Sequence, residues 1–494
     1  MEATGLLSRF RTFSTNSGSS WFTSMLVYSK PFKKLLESIA VQPDKAASLY
    51  RGGYTIEFLQ ATNVDTSRFH IIGKLARAAV QKLLGTGDED SIYLLTFFLL
   101  TGFSWNHFVE TLLSSTGGLL PAQMLGSDVA EWSKGKVWMP VHSVVLPMDR
   151  KTARLYQGKL AYPQVSYQVI APAGYPIYIP AAFSVTLGSG KGSRAPYNYV
   201  APSAVAPISG LKYRGVVVPG VVEYTATSTN TSQYLSPTAF LENVGMLPIS
   251  RVAAASSAFI GSFCTDGFVV DEVQALISGD VTPWVSASPM GGAFHQATDL
   301  VSALNAFGGV HRSSVQALAD AGVHGLLDGA YTDNTGVAAA VAAGSDEVLV
   351  LLNCNASGSL LYLFKGGPPP DIPDEPASLF PVFESPVAAD VAAVLSNLHL
   401  LYIVDSASYL KSIATGTVLV TTAANTAWGI AKGRQVKLNI VAVTSNLDIG
   451  EWENLEHFDA LVQEVVQTLL MDDNREYVRH HIMPWLFGSS AILV

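Results

Sequence analysis

Residues 14–21 read S-T-N-S-G-S-S-W, a Ser/Gly turn between one apolar-periodic segment around Leu6 and Phe10 and a second at residues 21–26. This layout is typical of a nucleophile elbow, in which a tight turn lifts one hydroxyl onto the N-terminus of the next helix. Far downstream, residues 327–334 read L-D-G-A-Y-T-D-N, with an Asp at the end of a short apolar stretch and a Gly turn behind it. A Ser and an Asp displayed on such loops are sufficient for nucleophilic catalysis if they meet in space.

Each of these motifs also has a purely structural interpretation. Clusters of Ser and Gly are usually plain turns. The Asp-Gly turn, which is followed by a second Asp at position 333, is equally compatible with a structural turn or with an isolated metal-binding loop.

The two motifs together resemble a known enzyme family. Residues 17–21, S-G-S-S-W, resemble the nucleophile region of the cytosolic phospholipase A2 group within the patatin-like hydrolases, where a G-x-S-G-S turn is followed by an aromatic residue. Residues 328–330, D-G-A, resemble the D-G-G/A signature that carries the Asp of that family's Ser–Asp dyad. Residues 252–263 and 428–445 fit the family more loosely, and the order of the motifs, with the nucleophile early and the Asp late, also fits.

The resemblance implies an α/β protein with a patatin-like central sheet flanked by helices. It also implies that Ser17 is the nucleophile, that Asp328 is its general base and that the Gly18 backbone N–H donates to the oxyanion. The implied substrate is a phospholipid or lysophospholipid ester, hydrolysed through an acyl-enzyme. This chemistry needs no metal and no cofactor.

Two departures from the family pattern predict a poor catalyst. Thr15 stands where the family has Gly, and no glycine-rich oxyanion loop or first strand is recognisable before Ser17. We therefore expect an unpaired edge or a gap in the sheet beside the elbow. Three interpretations stay open: a lipid acyl hydrolase, a non-catalytic lipid-binding or scaffold protein of the same fold, and an N-terminally truncated enzyme. A Ser-His-Asp triad is also open, because no histidine is singled out.

Composition narrows the class of protein. Of 494 residues, 49% are hydrophobic and only 14% are charged, which indicates a large core, an apolar ligand surface, or both. A net charge of −9 argues against nucleic acid as a partner.

Two cysteines exclude a disulfide framework and favour a reducing, cytoplasmic location, with peripheral contact to membranes as an option. The uncharged residues 91–106 predict a buried helix rather than a membrane span. The absence of an H-E-x-x-H motif argues against zinc.

The sequence predicts one catalytic module with three parts. Residues 1–135 form a helical part bearing the nucleophile, residues 136–240 a β-rich insertion or lid, and residues 241–494 an α/β part bearing the Asp. Within the insertion, four apolar side chains are expected to face the acyl-chain path, namely Tyr175, Ile177, Tyr178 and Phe183. Apolar spacing predicts helices at residues 32–39, 108–113, 248–263 and 452–471, and strands at residues 141–146, 348–352, 400–404 and 436–443.

Overall fold

A computed structural model provides the structure of the chain. It describes residues 10–55, 105–121, 123–145, 178–182, 185–189, 191–192, 212–213, 216–217, 248–257, 282–285, 323–331, 333–354, 381–384, 397–425, 428, 430–447 and 457–487. Three of the predicted lid residues, Tyr175, Ile177 and Phe183, lie outside these ranges.

Helices and strands are interspersed along the chain, which confirms the predicted α/β class. The strands are β1 Thr12–Thr15, β2 Val137–Val145, β3 Tyr178–Ala182, β4 Val185–Thr186, β5 Lys191–Gly192, β6 Lys212–Tyr213, β7 Val216–Val217, β8 Thr282–Val285, β9 Val323–Asp328, β10 Glu347–Cys354, β11 His399–Leu400, β12 Leu410–Thr421 and β13 Gln435–Ser445. The α-helices are α1 Gly18–Tyr28, α2 Lys30–Val41, α3 Ala46–Tyr50, α4 Trp105–Ser115, α5 Ile249–Ser256, α6 Val337–Ala342, α7 Phe458–Leu470, α8 Asp472–Tyr477 and α9 Met483–Phe487. Short 3₁₀ or π turns cover Pro43–Lys45, Arg51–Thr55, Glu131–Ser133, Gly329–Tyr331 and Val478–Ile482.

Strand β2 is the centre of the larger sheet, whose order is β5-β4-β2-β9-β8 with β1 and β3 also paired to β2. Strands β3 and β4 follow one continuous antiparallel register along one edge of β2. Strands β1 and β9 therefore share the opposite edge, where β1 runs parallel to β2 and β9 antiparallel. On that edge the partner changes just after Pro140, a residue that cannot donate to a ladder.

The smaller sheet has the order β10-β13-β12-β11, with β10 parallel to β13 and β12 antiparallel to it. One apolar cluster extends from Met139 and Val141 of β2 through Val337 and Val341 of α6 to this sheet. The opposite face of the sheet packs on α7 through a second cluster, which contains Leu461. Helix α6 thus lies in the core that joins the two sheets.

Several predicted elements are confirmed. Within the described residues, predicted elements coincide with α2, α4, α5, α7, β2, β10 and β13. Most of the helix predicted at residues 91–106 lies outside the described residues. The strand predicted at residues 400–404 is only His399–Leu400, and α5 ends at Ser256 rather than extending through residue 263 within the described part. Strands β1, β9 and β12 are among those that were not predicted.

A strand that was not predicted leads into the elbow. Strand β1 runs directly into the turn and pairs with β2 along all four of its residues, from Thr12↔Val137 to Thr15↔Pro140. Among the described residues, β1 has no strand partner on its other side. The insertion predicted at residues 136–240 begins with β2, the central strand of the larger sheet, and the division into three parts stays a prediction.

The described helices are all too short or too polar to cross a membrane.

Candidate functional site

Ser17 stands in a sharp turn between β1 and α1. Its φ of 47° and ψ of −133° make it the non-glycine residue with positive φ in the described part of the chain. Such a conformation costs on the order of 1–3 kcal/mol and persists only where the surroundings enforce it. Ser17 is partly exposed, while the neighbouring Asn16 is buried.

Asp328 is the last residue of β9, and it is buried with 2% of its surface exposed. The Ser17 hydroxyl donates to its Oδ2 at 2.9 Å. The Ala330 backbone N–H donates to its Oδ1 at 2.9 Å. The predicted pair is therefore in direct hydrogen-bond contact.

Burial changes the chemistry of Asp328. Desolvation raises the pKa of this carboxyl from 3.8 to about 7, against the opposing effect of hydrogen bonds from the Ala330 N–H and the Ser17 hydroxyl. A carboxylate with a pKa near neutrality is a stronger proton acceptor than an ordinary Asp, yet it is still substantially ionised at neutral pH. Asp328 is therefore suited to act as a general base toward Ser17.

The topology of the sheet explains how two residues so distant in sequence meet. Along one edge of β2, β1 ends opposite Pro140 and β9 ends opposite His142, and the two strands approach from opposite directions. Their C-terminal ends thus face each other across a gap of one β2 residue. Ser17, two positions beyond β1, and Asp328, at the end of β9, share this gap.

The loops that leave the two strands are tied together by polar contacts. The Asn16 side-chain amide donates to the Asp333 carbonyl at 3.1 Å and to Oδ1 of Asn334 at 3.2 Å. The Ser14 hydroxyl donates to the Gly336 carbonyl at 2.7 Å. These contacts hold the turn that carries Ser17 against the loop that follows Asp328.

Asp333 is a structural residue of that loop. Its Oδ1 accepts from the Thr335 N–H at 2.9 Å and from the Thr335 hydroxyl at 2.6 Å, and its Oδ2 accepts from the Ala338 N–H at 2.9 Å in the first turn of α6. Both carboxylate oxygens are thus engaged by protein donors, which favours the structural turn over the metal-binding loop. The described residues contain no group of three or more His, Cys, Asp or Glu that could hold a metal ion.

Gly18 is the candidate oxyanion donor. The Ser17 N–H is not available, because it donates to the Ser256 carbonyl at 2.9 Å. Gly18 begins α1, where backbone N–H groups have no intrahelical partner, and no acceptor for its N–H is found in the described part of the chain. Gly18 is exposed, and a Cβ built on it would meet no atom within 4 Å. Among the described residues, the space around the Gly18 Cα is therefore open.

His142 was not singled out in the sequence, although it lies directly opposite Asp328 in the β2–β9 register. Its Nε2 contacts the Val252 carbonyl of α5 at 3.3 Å, and burial lowers its pKa to about 4. His142 is therefore neutral at physiological pH and faces a backbone acceptor. Within the described residues the hydrogen-bond partner of the Ser17 hydroxyl is Asp328, which favours a dyad over a Ser-His-Asp triad.

Of the four predicted lid residues, Tyr178 lies in a described strand. Tyr178 begins β3, opposite Val145 at the end of β2. The role of Tyr178 and of the other three lid residues in the acyl-chain path stays a prediction.

Comparisons with known proteins identify no relative. No protein-family model matches the chain, and neither does any curated protein or any solved structure.

Proposed function

We propose that this chain is a serine acyl hydrolase that cleaves carboxylic esters of phospholipids or lysophospholipids with a Ser17–Asp328 dyad. The observation that carries the proposal is the 2.9 Å hydrogen bond from the Ser17 hydroxyl to the buried Asp328 carboxylate. A second carboxylate oxygen held by a backbone N–H keeps that base in one orientation, as a general base requires.

The reaction follows from the geometry of these groups. Asp328 accepts the proton of Ser17 as Oγ attacks the ester carbonyl, and the Gly18 N–H donates to the oxygen that becomes negative. Collapse of the tetrahedral intermediate expels the alcohol, which takes the proton from Asp328 and leaves an acyl group on Ser17. Water, deprotonated by Asp328, then attacks the acyl carbonyl, and the fatty acid leaves as Ser17 is reprotonated.

The lipid substrate class and the patatin-like fold rest on the sequence resemblance at residues 17–21 and 328–330. The strand–Ser–helix arrangement of β1, Ser17 and α1 supports the resemblance, as does the Asp-Gly turn at the end of β9. A chain with 49% hydrophobic residues also suits an enzyme that receives acyl chains.

A non-catalytic lipid-binding protein of the same fold is the second candidate. The observation that favours it is that the Ser17 N–H already donates to the Ser256 carbonyl, so it cannot serve as an oxyanion donor beside the Gly18 N–H. Each missing donor costs about 3 kcal/mol of transition-state stabilisation. We therefore expect slow turnover even if the chain is an enzyme.

Hydrolysis of phosphatidylcholine and lysophosphatidylcholine by purified protein tests the proposal, together with labelling by a fluorophosphonate probe. We expect fatty-acid release and labelling by the wild type, and loss of both in Ser17→Ala. Ser24→Ala is the matched control, because within the described residues the hydroxyl of this buried serine of α1 donates to the Ser20 carbonyl, one helical turn earlier. Undiminished hydrolysis in Ser17→Ala contradicts the assignment of the nucleophile. Lipid binding without hydrolysis or labelling favours the second candidate.

A further inference from the structure

A chain of hydrogen bonds runs through three buried hydroxyl groups beneath the elbow. The Trp138 indole N–H donates to Oγ1 of Thr15 at 2.9 Å, and Thr15 Oγ1 lies 3.0 Å from Oγ of Ser20. Ser20 Oγ lies 2.8 Å from Oγ of Ser256, whose hydroxyl donates to the Val141 carbonyl at 2.7 Å. All three hydroxyl side chains belong to buried residues.

The groups at the two ends of this series of hydrogen bonds, the Trp138 indole and the Val141 carbonyl, determine the direction of every hydrogen bond between them. An indole N–H can only donate and a backbone carbonyl can only accept. Thr15 must therefore donate to Ser20, and Ser20 to Ser256, so that each hydroxyl accepts once and donates once. Buried networks in which every member is satisfied hold a single arrangement, whereas the loss of one member leaves its neighbours unpaired.

Two of the hydrogen-bonded hydroxyl residues flank Ser17 in the sequence. Thr15 lies two positions before the nucleophile and Ser20 three positions after it, so both arms of the elbow are bound to the same network. Ser256, at the end of α5, contributes twice, because its backbone carbonyl accepts the Ser17 N–H at 2.9 Å. The hydrogen-bond partners at the two ends of the network, the Trp138 indole and the Val141 carbonyl, both belong to β2.

We propose that Thr15, Ser20 and Ser256 are positioning residues that hold the strained turn at Ser17 and thereby keep its hydroxyl on Asp328. The strain at φ 47° needs an external restraint, and the network supplies one to each arm of the turn and to the Ser17 N–H. The consequence for catalysis rests on the proposed function, whereas the consequence for the geometry of Ser17 does not.

Two substitutions at Thr15 separate the hydroxyl from the shape of the side chain. Thr15→Val removes the hydroxyl and keeps the β-branched shape that suits a strand, and Thr15→Ser keeps the hydroxyl. Ser256→Ala removes the hydroxyl at the other end of the hydrogen-bond network, and it replaces Thr15→Val as the test variant if Thr15→Val does not fold. Ser24→Ala is the matched control, since its hydroxyl lies outside the chain and bonds within α1.

Crystal structures of these variants and an NMR titration of the Asp328 carboxyl give readouts that need no enzymatic activity. In Thr15→Val and Ser256→Ala we expect the Ser17 hydroxyl to leave Oδ2 of Asp328, and the midpoint of the Asp328 titration to rise because a hydrogen bond to the carboxylate is lost. In Thr15→Ser and Ser24→Ala we expect the wild-type distance and midpoint. Unchanged geometry and titration in both hydroxyl-deficient variants overturn the proposal.

Kinetics with a phospholipid substrate add the catalytic consequence. We expect kcat to fall by about 10-fold to 100-fold in Thr15→Val and Ser256→Ala with little change in KM, because a small misplacement of a reacting atom affects the chemical step. Thr15→Ser should restore kcat. A wild-type protein without activity contradicts the proposed function only, since the structural and titration readouts still decide the role of the hydroxyl chain. An equal loss of kcat in Ser24→Ala and Thr15→Val contradicts a specific role for the chain.

Discussion

The Ser17 hydroxyl donates a 2.9 Å hydrogen bond to Oδ2 of Asp328, and the two residues differ sharply in their access to water. Ser17 is partly exposed, whereas Asp328 is buried. Under the proposed function, the substrate approaches the partly exposed Ser17, while the burial of Asp328 raises its pKa to about 7. This difference leads directly to the first two predictions.

Hydrolysis should depend on the ionisation of a single group with a pKa near 7. Only the ionised form of Asp328 can accept the Ser17 proton, so kcat/KM should rise about tenfold per pH unit below pH 7 and level off above it. The measurement is the rate with a soluble short-chain ester from pH 5 to 9. A midpoint near pH 4, the ordinary range of an Asp, contradicts the assigned base.

Asp328 should also make the fold less stable as the pH rises. Because its pKa in the folded protein is about 7 against 3.8 for the free group, the folded state binds the proton more tightly, and stability falls as pH rises through this interval. Asp328→Asn cannot titrate. From pH 5 to pH 8, the free energy of unfolding of Asp328→Asn should increase relative to wild type by about 3 kcal/mol.

Urea unfolding of both proteins at the two pH values measures this difference. The burial of Asp333 raises the pKa of its carboxyl in both proteins, so its contribution cancels in the comparison. A constant difference between wild type and Asp328→Asn contradicts the raised pKa of Asp328.

Gly329→Ala should displace the loop that follows the base. A Cβ at this position would lie 2.7 Å from the carbonyl oxygen of Val141 and 2.9 Å from the carbonyl carbon of the same residue. Because these are backbone atoms of a central strand, they cannot shift without disturbing the sheet. We expect a loss of about 1–3 kcal/mol of unfolding free energy and a clear loss of hydrolysis. Gly52→Ala is the control, because no atom lies within 4 Å of its added Cβ. Equal stability of the two variants in thermal unfolding contradicts the close approach of β2 to Gly329.

Glu464 should be a major stabilising residue of the smaller sheet. Its buried carboxylate accepts three backbone N–H groups at the start of β12, from Ser408 at 2.7 Å, Tyr409 at 3.0 Å and Leu410 at 2.7 Å. Glu464→Gln replaces one acceptor oxygen with a donor and should cost about 3 kcal/mol. In chemical unfolding, Glu476→Gln should change stability by no more than about 0.5 kcal/mol, because Glu476 forms only an exposed ion pair with His480.

The sequence predicts the strands and helices whose apolar pattern is long. Strands β10 and β13 are apolar runs, and α7 has a regular stripe of apolar residues. Strand β12 was missed because Gly416 and several Ser and Thr residues interrupt its apolar pattern, although eleven of its residues pair with β13. Strand β1 was missed because T-F-S-T is short and mostly polar, and its pairing with β2 is a property of distant residues.

The chemistry of the site was predictable where it depends on local sequence. Residues 14–21 and 327–334 suggested both members of the pair, because a strained turn and an Asp-Gly turn leave recognisable signatures. The contribution of Ser256 was not predictable, because the sequence does not show that the end of α5 lies beneath the elbow. His142 was missed for the same reason, since only the register of β2 with β9 places it opposite Asp328.

The end-to-end meeting of β1 and β9 on β2 has a consequence for how the protein acquires activity. Ser17 and Asp328 are 311 positions apart, so their contact closes a long stretch of chain at an entropic cost, and we expect it to form late in folding. A nascent chain that has not yet been synthesised through β9 contains the serine but no base. Under the proposed function, we expect ester cleavage to begin only after β1 and β9 have both paired with β2, and its appearance after dilution from denaturant should measure that step.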